Sequence, residues 1–319
     1  MKVFVVGSSR SGTTLVNSLL AASGRFATYR AEAQLVTLCQ QKYGGLRSGP
    51  AMNRFLRDWS TSRPFLRSGL KLEAFAELAK QYLPDWYYMT GAFLDAIAQR
   101  QGKDGWVEST PGHVFHLRPL AKAIPDAVFL HVVRDGRSVA VSRRKLGWTV
   151  VPTKTPHMQL LYAGLAWRQA VRAARAAAPY LGGRMMLVRY EDLVTNPAPV
   201  IAQLNQRIFP DEVLPPIPDS HMLELSGGNT AFGTLTPGLD PTPLRRWREQ
   251  LTDGEAASLT WHLAEELSDL GYIAASPKCP SIQDRLLKHW LRGQLAARTW
   301  LARRTILGRL STALPEQET

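Results

Sequence analysis

The sequence predicts an α/β fold, in which a three-layer domain is built around a central, mostly parallel sheet. Three segments each combine a short apolar run, a polar turn and a helical stripe, and they begin at Val3, Ala127 and Arg184. A strand followed by a turn and a helix is the repeating unit of parallel sheets that carry helices on both faces. Ligands of such sheets bind at the carboxyl ends of the strands, so the three turns are where a site is expected.

The first unit carries a P-loop-like turn. Residues 3–6 are β-branched or aromatic, as in a buried strand, and apolar residues recur at helical spacing over residues 15–20. Between them lies Gly7-Ser8-Ser9-Arg10-Ser11-Gly12-Thr13-Thr14, which has the glycine spacing of a loop that cradles phosphate with backbone amides. A nucleoside triphosphatase would have lysine after the second glycine, but Thr13 stands there and Arg10 is the cation of the loop.

The second unit combines a buried strand with a cation at its end. Residues 127–133 are apolar except for one histidine, and Arg134-Asp135-Gly136-Arg137 leads into a helix that we predict to continue to about Leu146. Arg134 would then lie at the mouth of the strand and Ser142 on the second turn of the helix. Both side chains would reach one phosphate, so the pair predicts a second anion-binding position.

The third unit ends its strand beside an aromatic and acidic turn. The strand is predicted over residues 184–189, followed by Tyr190-Glu191-Asp192 and, after Asn196-Pro197, by a helix towards Phe209. Like the other two turns, this one lies at the carboxyl end of its strand.

A helical insert separates the first and second units. We predict it over about residues 30–105 of a domain that spans residues 1–275. Apolar residues keep helical spacing from Leu72 to Tyr82, and aromatic residues cluster over residues 86–93. These rings either pack the core of the insert or form a wall of a substrate cleft, and both interpretations stay open.

An excess of basic residues limits the class of partner. The sequence has 39 Lys and Arg against 26 Asp and Glu, a net charge of +13, which favours an anionic ligand or surface. Its 45% hydrophobic and 20% charged residues exclude a disordered or collagenous chain. Cys39 and Cys279 lie far apart and lack metal-site spacing, so we predict reduced thiols in a cytoplasmic protein. Because no apolar run reaches 18 residues, no membrane span is expected.

More than half of the basic excess lies near the carboxyl end. We predict a basic amphipathic tail over residues 276–319, because residues 278–309 contain eight Lys or Arg, one acid and interleaved leucine and tryptophan. Such a helix packs on its own domain, lies on an anionic membrane or docks on a partner, and these alternatives stay open.

Together the three turns resemble a known family. The run of residues 10–15 is similar to the 5′-phosphosulfate loop of sulfotransferases that use 3′-phosphoadenosine 5′-phosphosulfate (PAPS), and residues 133–137 with Ser142 are similar to their 3′-phosphate motif. Residues 190–193 with Asn196-Pro197 resemble the third signature of the family. The resemblance covers residues 2 to about 275 and extends to the branch that sulfates protein tyrosines and many bacterial acceptors.

The resemblance implies roles for the matched residues. It assigns the 5′-phosphosulfate to Arg10, Ser11, Gly12, Thr13 and Thr14, the 3′-phosphate to Arg134 and Ser142, and the adenosine to the neighbourhood of Tyr190. Arg10 would also neutralise charge on the leaving oxygen. PAPS is the expected donor, no metal is required because the cations are side chains, and nucleic acid is not an expected partner.

Sulfuryl transfer to a hydroxyl needs a general base, because the hydroxyl loses a proton as it attacks sulfur. The resemblance implies Glu32, since the base of that branch stands just after the first helix. The structural alternative is an exposed carboxylate paired with Arg30. His113 and His116 are the second candidates, and the choice between Glu32 and a histidine stays open.

Two positions depart from the family pattern. Many relatives have a lysine within the segment that matches residues 107–113, where Ser109 stands, so His113 or Arg10 would have to supply that charge. Residues 226–232 resemble a loop that closes over the nucleotide, and Phe232 stands where arginine is frequent.

The sequence thus predicts a sulfotransferase that acts on a glycan, a glycolipid or a small hydroxyl compound. Two other functions stay open. One is a P-loop kinase-like phosphotransferase, which would have to work without the lysine at Thr13. The other is a non-catalytic scaffold that binds lipid or polyanion through the basic tail, peripherally on a membrane.

Overall fold

Five parallel strands form the centre of the computed structural model, which describes residues 1–44, 46, 49–147, 155–210, 244, 246–275, 277–287, 290 and 293. The strands are β1 (Lys2–Gly7), β2 (Ala27–Thr28), β3 (Trp106–Glu108), β4 (Ala127–Val133) and β5 (Met185–Arg189). Within the described residues they form one sheet in the order β2-β3-β1-β4-β5, with every neighbouring pair parallel. The α/β fold and the parallel sheet predicted from the sequence are confirmed.

Helices connect the strands and cover both faces of the sheet. The first half of the chain forms α1 (Thr13–Ala22), a π-helical turn (Leu35–Cys39), α2 (Gln40–Tyr43), α3 (Gly49–Ser60), α4 (Arg63–Ser68), α5 (Leu72–Tyr82), α6 (Trp86–Arg100), a 3₁₀ turn (Pro111–Phe115) and α7 (Leu117–Ala123). The second half forms α8 (Gly136–Lys145), α9 (Pro156–Ala177), a 3₁₀ turn (Ala178–Tyr180), α10 (Tyr190–Thr195), α11 (Pro197–Ile208), α12 (Arg246–Gln250), α13 (Asp253–His262) and α14 (Ala264–Asp269).

Alternation along β1 shows how the three layers are held together. Successive side chains of a strand point to opposite faces of the sheet. Val3 and Val5 lie in an apolar cluster with residues of α1 and α11. Phe4 and Val6 lie in a second cluster with residues of α6, α7 and α9. Both faces of the central strand are therefore buried, which explains its uninterrupted apolar sequence.

Two strands are too short for their sequence to reveal them. β2 has two residues and β3 has three, fewer than an alternating pattern needs to be recognised. β3 pairs with β1 on the side away from β4, and β2 pairs with β3. They form the part of the sheet on this side of β1, for which the sequence predicted no strand.

Aromatic rings fill the core of the helical insert. Phe55, Trp59, Phe75 and Phe93 are fully buried, and the ring centroids of neighbouring pairs lie 5.7–6.3 Å apart. Aromatic pairs at these distances stabilise a core beyond the area that they bury. Packing is therefore the role of these four rings, whereas Tyr88 is exposed.

The carboxyl-terminal segment lies only partly within the described residues. Residues 282–287 are helical. Outside the described part of the chain lie most basic residues of the predicted tail, namely Lys288, Arg292, Arg298, Arg303, Arg304 and Arg309, and the loop 226–232 with Phe232. In the part that is described, no helix has the length and apolar character needed to cross a bilayer. Cys39 and Cys279 are free thiols.

Candidate active site

The predicted site residues follow the carboxyl ends of the strands, which meet along one edge of the sheet. The loop from Gly7 to Gly12 connects β1 to α1, Arg134 directly follows β4, and Tyr190 directly follows β5. On the other side of β1, Glu108 ends β3 and Glu32 lies four residues beyond β2. The edge thus carries two groups of polar residues, with β1 and its loop between them.

The loop after β1 has the backbone of an anion-binding turn. Arg10 has a φ of 76° and Gly12 a φ of 97°, both in the left-handed region. A Cβ atom at Gly12 would lie 2.4 Å from a ring carbon of Tyr190, so the conformation and the contact both require glycine. The helix α1 begins at Thr13, and its first amide groups have no partner within the helix. These amides and the helix dipole favour an anion beside the loop.

Two guanidinium groups, a hydroxyl group and an aromatic ring converge on this loop. Arg10 Nε donates to Ser142 Oγ at 3.0 Å, and Arg134 Nη1 donates to the carbonyl oxygen of Arg10 at 3.5 Å. The guanidinium of Arg134 also lies 4.5 Å from the centre of the Tyr190 ring. The structure therefore brings together residues that three separate motifs supply.

The charges and hydroxyl groups of this cluster fit an anionic ligand. Burial lowers the pKa of Arg10, and the neighbouring charge of Arg134 lowers it further. An anion between two cations removes their repulsion. The side-chain oxygen of Ser11, in the loop, is buried and has no hydrogen-bond partner among the described residues. A buried polar group costs about 1–3 kcal/mol when it is left without a partner, so a ligand with several phosphate oxygens would stabilise this site.

Glu191 joins the third motif to the second. Its Oε1 accepts from the backbone N–H of Asp135 at 2.9 Å, and its Oε2 accepts from the Tyr272 hydroxyl at 2.8 Å. Burial raises the pKa of Glu191 above its ordinary value. The carboxyl group thus fixes the turn that follows β4, directly beside Arg134.

Asp135 is engaged by its own helix. The carboxylate caps α8 by accepting from Arg137 N–H at 2.9 Å, and it pairs with Arg137 Nη2 at 2.7 Å. A kinase would need a strand-end aspartate for magnesium, and here that carboxylate is bound by a guanidinium group. Among the described residues no group of three or more His, Cys, Asp or Glu is arranged to hold a metal ion.

Glu32 is exposed to solvent, and its environment favours proton uptake. Desolvation by the surrounding protein raises its pKa above the ordinary glutamate value, and the negative charge of Glu108 raises it further. A hydrogen bond from the Gln34 side chain and the charge of His113 act in the opposite direction. No ion pair with Arg30 is formed within the described residues. Exposure combined with partial desolvation is suited to a group that accepts a proton from a substrate.

His113 is completely buried and both of its ring nitrogens are engaged. Nδ1 lies 3.1 Å from Glu108 Oε2, and Nε2 lies 3.1 Å from the carbonyl oxygen of Ala33. His116 is half-buried, with Nδ1 3.2 Å from the Tyr87 hydroxyl. The surroundings of His113 leave no ring nitrogen for an acceptor substrate, and this geometry favours Glu32 as the base.

Sequence analysis assigned no separate role to two carboxyl groups at this edge, the buried Glu108 and the half-buried Glu191. Glu108 ends a strand of three residues, and its partners, Ala33 and His113, come from two other segments. The available signal was an acid at the end of an apolar pair, Trp106-Val107. Ser109, the next residue along the chain, is half-buried.

Comparison with protein families finds a match over residues 2–208, to the family described as the sulfotransferase family. Comparison with curated proteins finds no match.

Two solved structures share the fold. The sulfotransferase domain from the Synechococcus PCC 7002 olefin synthase is 19% identical, with a TM-score of 0.51 over 83% of this chain and 94% of that one. The sulfotransferase domain from the curacin biosynthetic pathway is 18% identical, with a TM-score of 0.52 over 82% of this chain and 96% of that one.

Proposed function

The chain belongs to the sulfotransferase family, and from this premise we propose that it moves the sulfuryl group of PAPS to an acceptor hydroxyl by in-line transfer. The observation that carries the proposal is the convergence of Arg10, Ser142, Arg134 and Tyr190 at the edge of the sheet. These groups offer two cationic positions and an aromatic surface, which is the chemistry that a nucleotide with phosphates at two ends requires.

The residues divide between the two ends of the donor. The loop amides, Arg10, Ser11, Gly12, Thr13 and Thr14 hold the 5′-phosphosulfate. Arg134 and Ser142 hold the 3′-phosphate, and Tyr190 lies beside the adenosine. The bound donor supplies a sulfuryl group on a leaving phosphate. Arg10 and the amides stabilise the negative charge that appears on the leaving oxygen, and side-chain cations provide this stabilisation without a metal ion.

Glu32 is proposed as the general base. Its carboxylate takes the proton of the acceptor hydroxyl as that oxygen attacks sulfur. In-line transfer places the hydroxyl on the side of the sulfuryl group opposite the leaving phosphate. The arrangement of the edge suits this geometry, because the phosphosulfate loop after β1 lies between Glu32, which follows β2, and Arg134, which follows β4.

The acceptor is proposed to be a glycan, a glycolipid or another small hydroxyl compound. Two exposed aromatic side chains, Tyr88 and Phe115, flank Tyr87 and His116 in the chain. The hydroxyl of Tyr87 and Nδ1 of His116 are 3.2 Å apart, which connects α6 to the residue between the 3₁₀ turn and α7. Aromatic faces of this kind stack on sugar rings and apolar rings alike.

Nucleotide binding tests the donor. Adenosine 3′,5′-bisphosphate, the nucleotide left after transfer, is expected to raise the Tm by about 4 °C at a hundredfold excess over Kd, without magnesium. Transfer is tested separately, since radiolabelled sulfate from PAPS should appear on hydroxyl compounds of fractionated cell extract.

Arg134→Ala should abolish the rise in Tm that the bisphosphate causes. Arg118→Ala is the matched control, because Arg118 also stacks on a tyrosine, Tyr180, at 3.2 Å. Stabilisation by ATP with magnesium alone would favour a kinase, and indifference to all nucleotides would favour a scaffold.

We also propose that the start of the tail meets an anionic membrane. Ile282, Leu286 and Trp290 recur every four residues and are 77%, 67% and 49% exposed. On the inner side, Asp284 accepts hydrogen bonds from Ser258 and Ser281, and Leu287 packs on the core. An anchored helix thus presents an apolar ridge within the most basic part of the sequence.

Vesicle binding tests this surface. Vesicles of phosphatidylcholine with phosphatidylserine should sediment the protein, whereas phosphatidylcholine alone should not. The double variant Ile282→Ser/Leu286→Ser is expected to weaken binding about tenfold or more, since each side chain loses apolar burial. Leu66→Ser/Leu72→Ser removes two other exposed leucines and should bind like the wild type. Equal binding to both vesicle types, or to neither, would contradict the proposal.

A further inference from the structure

Glu108 and His113 form a buried pair directly beside the backbone that carries Glu32. Both side chains are 0% exposed, and His113 Nδ1 lies 3.1 Å from Glu108 Oε2. The pair lies in the apolar layer against β1, where the His113 ring meets the edge of Phe4 at 5.4 Å. A buried carboxyl and a buried imidazole are costly unless every polar atom finds a partner.

The remaining atoms of the pair bind the two peptide groups of Ala33. Glu108 Oε1 accepts from Ala33 N–H at 3.1 Å, and His113 Nε2 lies 3.1 Å from the Ala33 carbonyl oxygen. Thr110 donates its hydroxyl to the same Glu108 oxygen. The N–H of Ala33 belongs to the peptide that starts at Glu32, so the clamp acts on the residue next to the proposed base.

The proton count of the pair follows from its partners. The Ala33 carbonyl can only accept, so Nε2 carries a proton and donates it. One further proton lies between Nδ1 and Oε2, on either the imidazole or the carboxyl group. In both forms the pair is neutral overall and all its hydrogen bonds are made. The clamp is therefore a complete network, which fixes the conformation of the segment that it holds.

A tight turn transmits this constraint to Glu32. The N–H of Gln34 donates to the carbonyl oxygen of Glu32 at 2.9 Å, and the Gln34 side chain hydrogen-bonds to the Glu32 carboxylate. Glu32, Ala33 and Gln34 thus form a compact unit whose centre is bound on both sides by Glu108 and His113.

We infer that Glu108 and His113 are positioning residues, which hold the Ala33 peptide and thereby place the Glu32 carboxylate for proton transfer. The inference rests on the proposed role of Glu32 as base. A misplacement of a catalytic group by about 1 Å lowers turnover about 10²-fold, so the clamp is expected to affect kcat far more than nucleotide affinity.

Variants that break or keep the clamp test the inference. Glu108→Ala and His113→Ala should each lower kcat about 10²-fold and leave the Kd of adenosine 3′,5′-bisphosphate unchanged. The kcat of Glu108→Gln should be at least about tenfold higher than that of Glu108→Ala, because the glutamine amide can accept from Ala33 N–H and donate to Nδ1. The double variant Glu108→Met/His113→Phe leaves no unpaired buried charge, so it keeps the test feasible if the alanine variants fail to fold.

The pH profile separates positioning from a merely structural role. The ionisable groups that act on Glu32 are Glu108 from β3, which raises its pKa, and His113 from the 3₁₀ turn, which lowers it less. Tyr29, on the same loop, is turned away and donates to the Pro64 carbonyl at 2.7 Å. Glu108→Gln removes the repulsion by an ionised Glu108 and, since its amide donates to Nδ1, also the weaker attraction by a protonated His113, so the acid limb of kcat/KM should move to lower pH by the difference.

The outcomes distinguish this inference from the proposed function. If Glu32→Gln is inactive but Glu108→Ala and His113→Ala turn over like the wild type, or if Glu108→Gln is as poor as Glu108→Ala, the clamp has no positioning role. If wild-type protein transfers no sulfate, the proposed function fails first. His262→Ala is the matched control. His262 is also buried, its Nε2 lies 3.5 Å from Asp284 Oδ1, and its helix, α13, supplies no site residue. It should leave kcat unchanged.

Discussion

Replacing Glu32 by glutamine is expected to lower kcat by about 10²–10⁴-fold and to leave the affinity for adenosine 3′,5′-bisphosphate unchanged. Glutamine keeps the shape of the side chain but cannot take a proton from an acceptor hydroxyl. The proposed nucleotide contacts should remain intact, because Arg10 lies in the loop after β1 and Arg134 follows β4, on the side of β1 away from Glu32. Single-turnover transfer from PAPS and titration with the bisphosphate measure the two quantities separately.

The pH dependence gives an independent readout of the same substitution. Desolvation first, and then the charge of Glu108, raise the pKa of Glu32 above the ordinary glutamate value. The ionised form that accepts a proton is present above this pKa and is lost as the pH falls through it. Wild-type kcat/KM should therefore fall on the acid side at a higher pH than an unperturbed glutamate would give, and Glu32→Gln should lack this limb.

A matched substitution separates the loss of the base from the loss of a surface charge. Glu73→Gln removes an exposed carboxylate at the start of α5 and should leave kcat and its pH profile unchanged. If Glu32→Gln instead transferred sulfate at the wild-type rate, Glu32 would not be the base. His116, whose ring is half-buried, would then be the first residue to replace.

The fold was predictable where a strand or helix is long enough to show a recognisable pattern of apolar residues in the sequence. The segments around β1, β4 and β5 each pair an apolar run with a helical stripe, and the strands lie at residues 2–7, 127–133 and 185–189. β2 and β3 have two and three residues, and they form because their neighbours supply hydrogen bonds and apolar cover. No local pattern encodes such strands, because tertiary contacts determine them.

The site was predictable in the part that depends on loop chemistry. Glycine, hydroxyl and arginine at fixed spacing pointed to Arg10, Arg134 and Ser142, and the structure brings these three residues together, while their binding of phosphate stays a prediction. Glu108 and Glu191 escaped because each binds backbone groups of a segment far away in sequence. A carboxylate that binds peptide groups far away in sequence belongs to no local motif, so the sequence alone does not reveal its role.

Replacing Arg10 by alanine is expected to lower kcat by about 10²–10³-fold, the loss that follows removal of one donor to a developing oxyanion. The guanidinium is fixed by its 3.0 Å hydrogen bond to Ser142. Arg134 cannot substitute, because it is held against the Tyr190 ring and the Arg10 carbonyl. Steady-state transfer from PAPS measures the loss, and Arg57→Ala, at an exposed arginine of α3, is the control.

Backbone strain at Arg10 needs its own control, because a φ of 76° is unfavourable for any residue other than glycine. Arg10→Gly accepts this conformation without strain, whereas Arg10→Ala keeps the strain and loses the charge. Equal losses of kcat in both variants would assign the effect to the guanidinium. Arg10→Lys retains a charge without the planar fork of donors and should fall between them and the wild type. Recovery of activity in Arg10→Gly would show instead that the loop conformation, and not the cation, is what transfer requires.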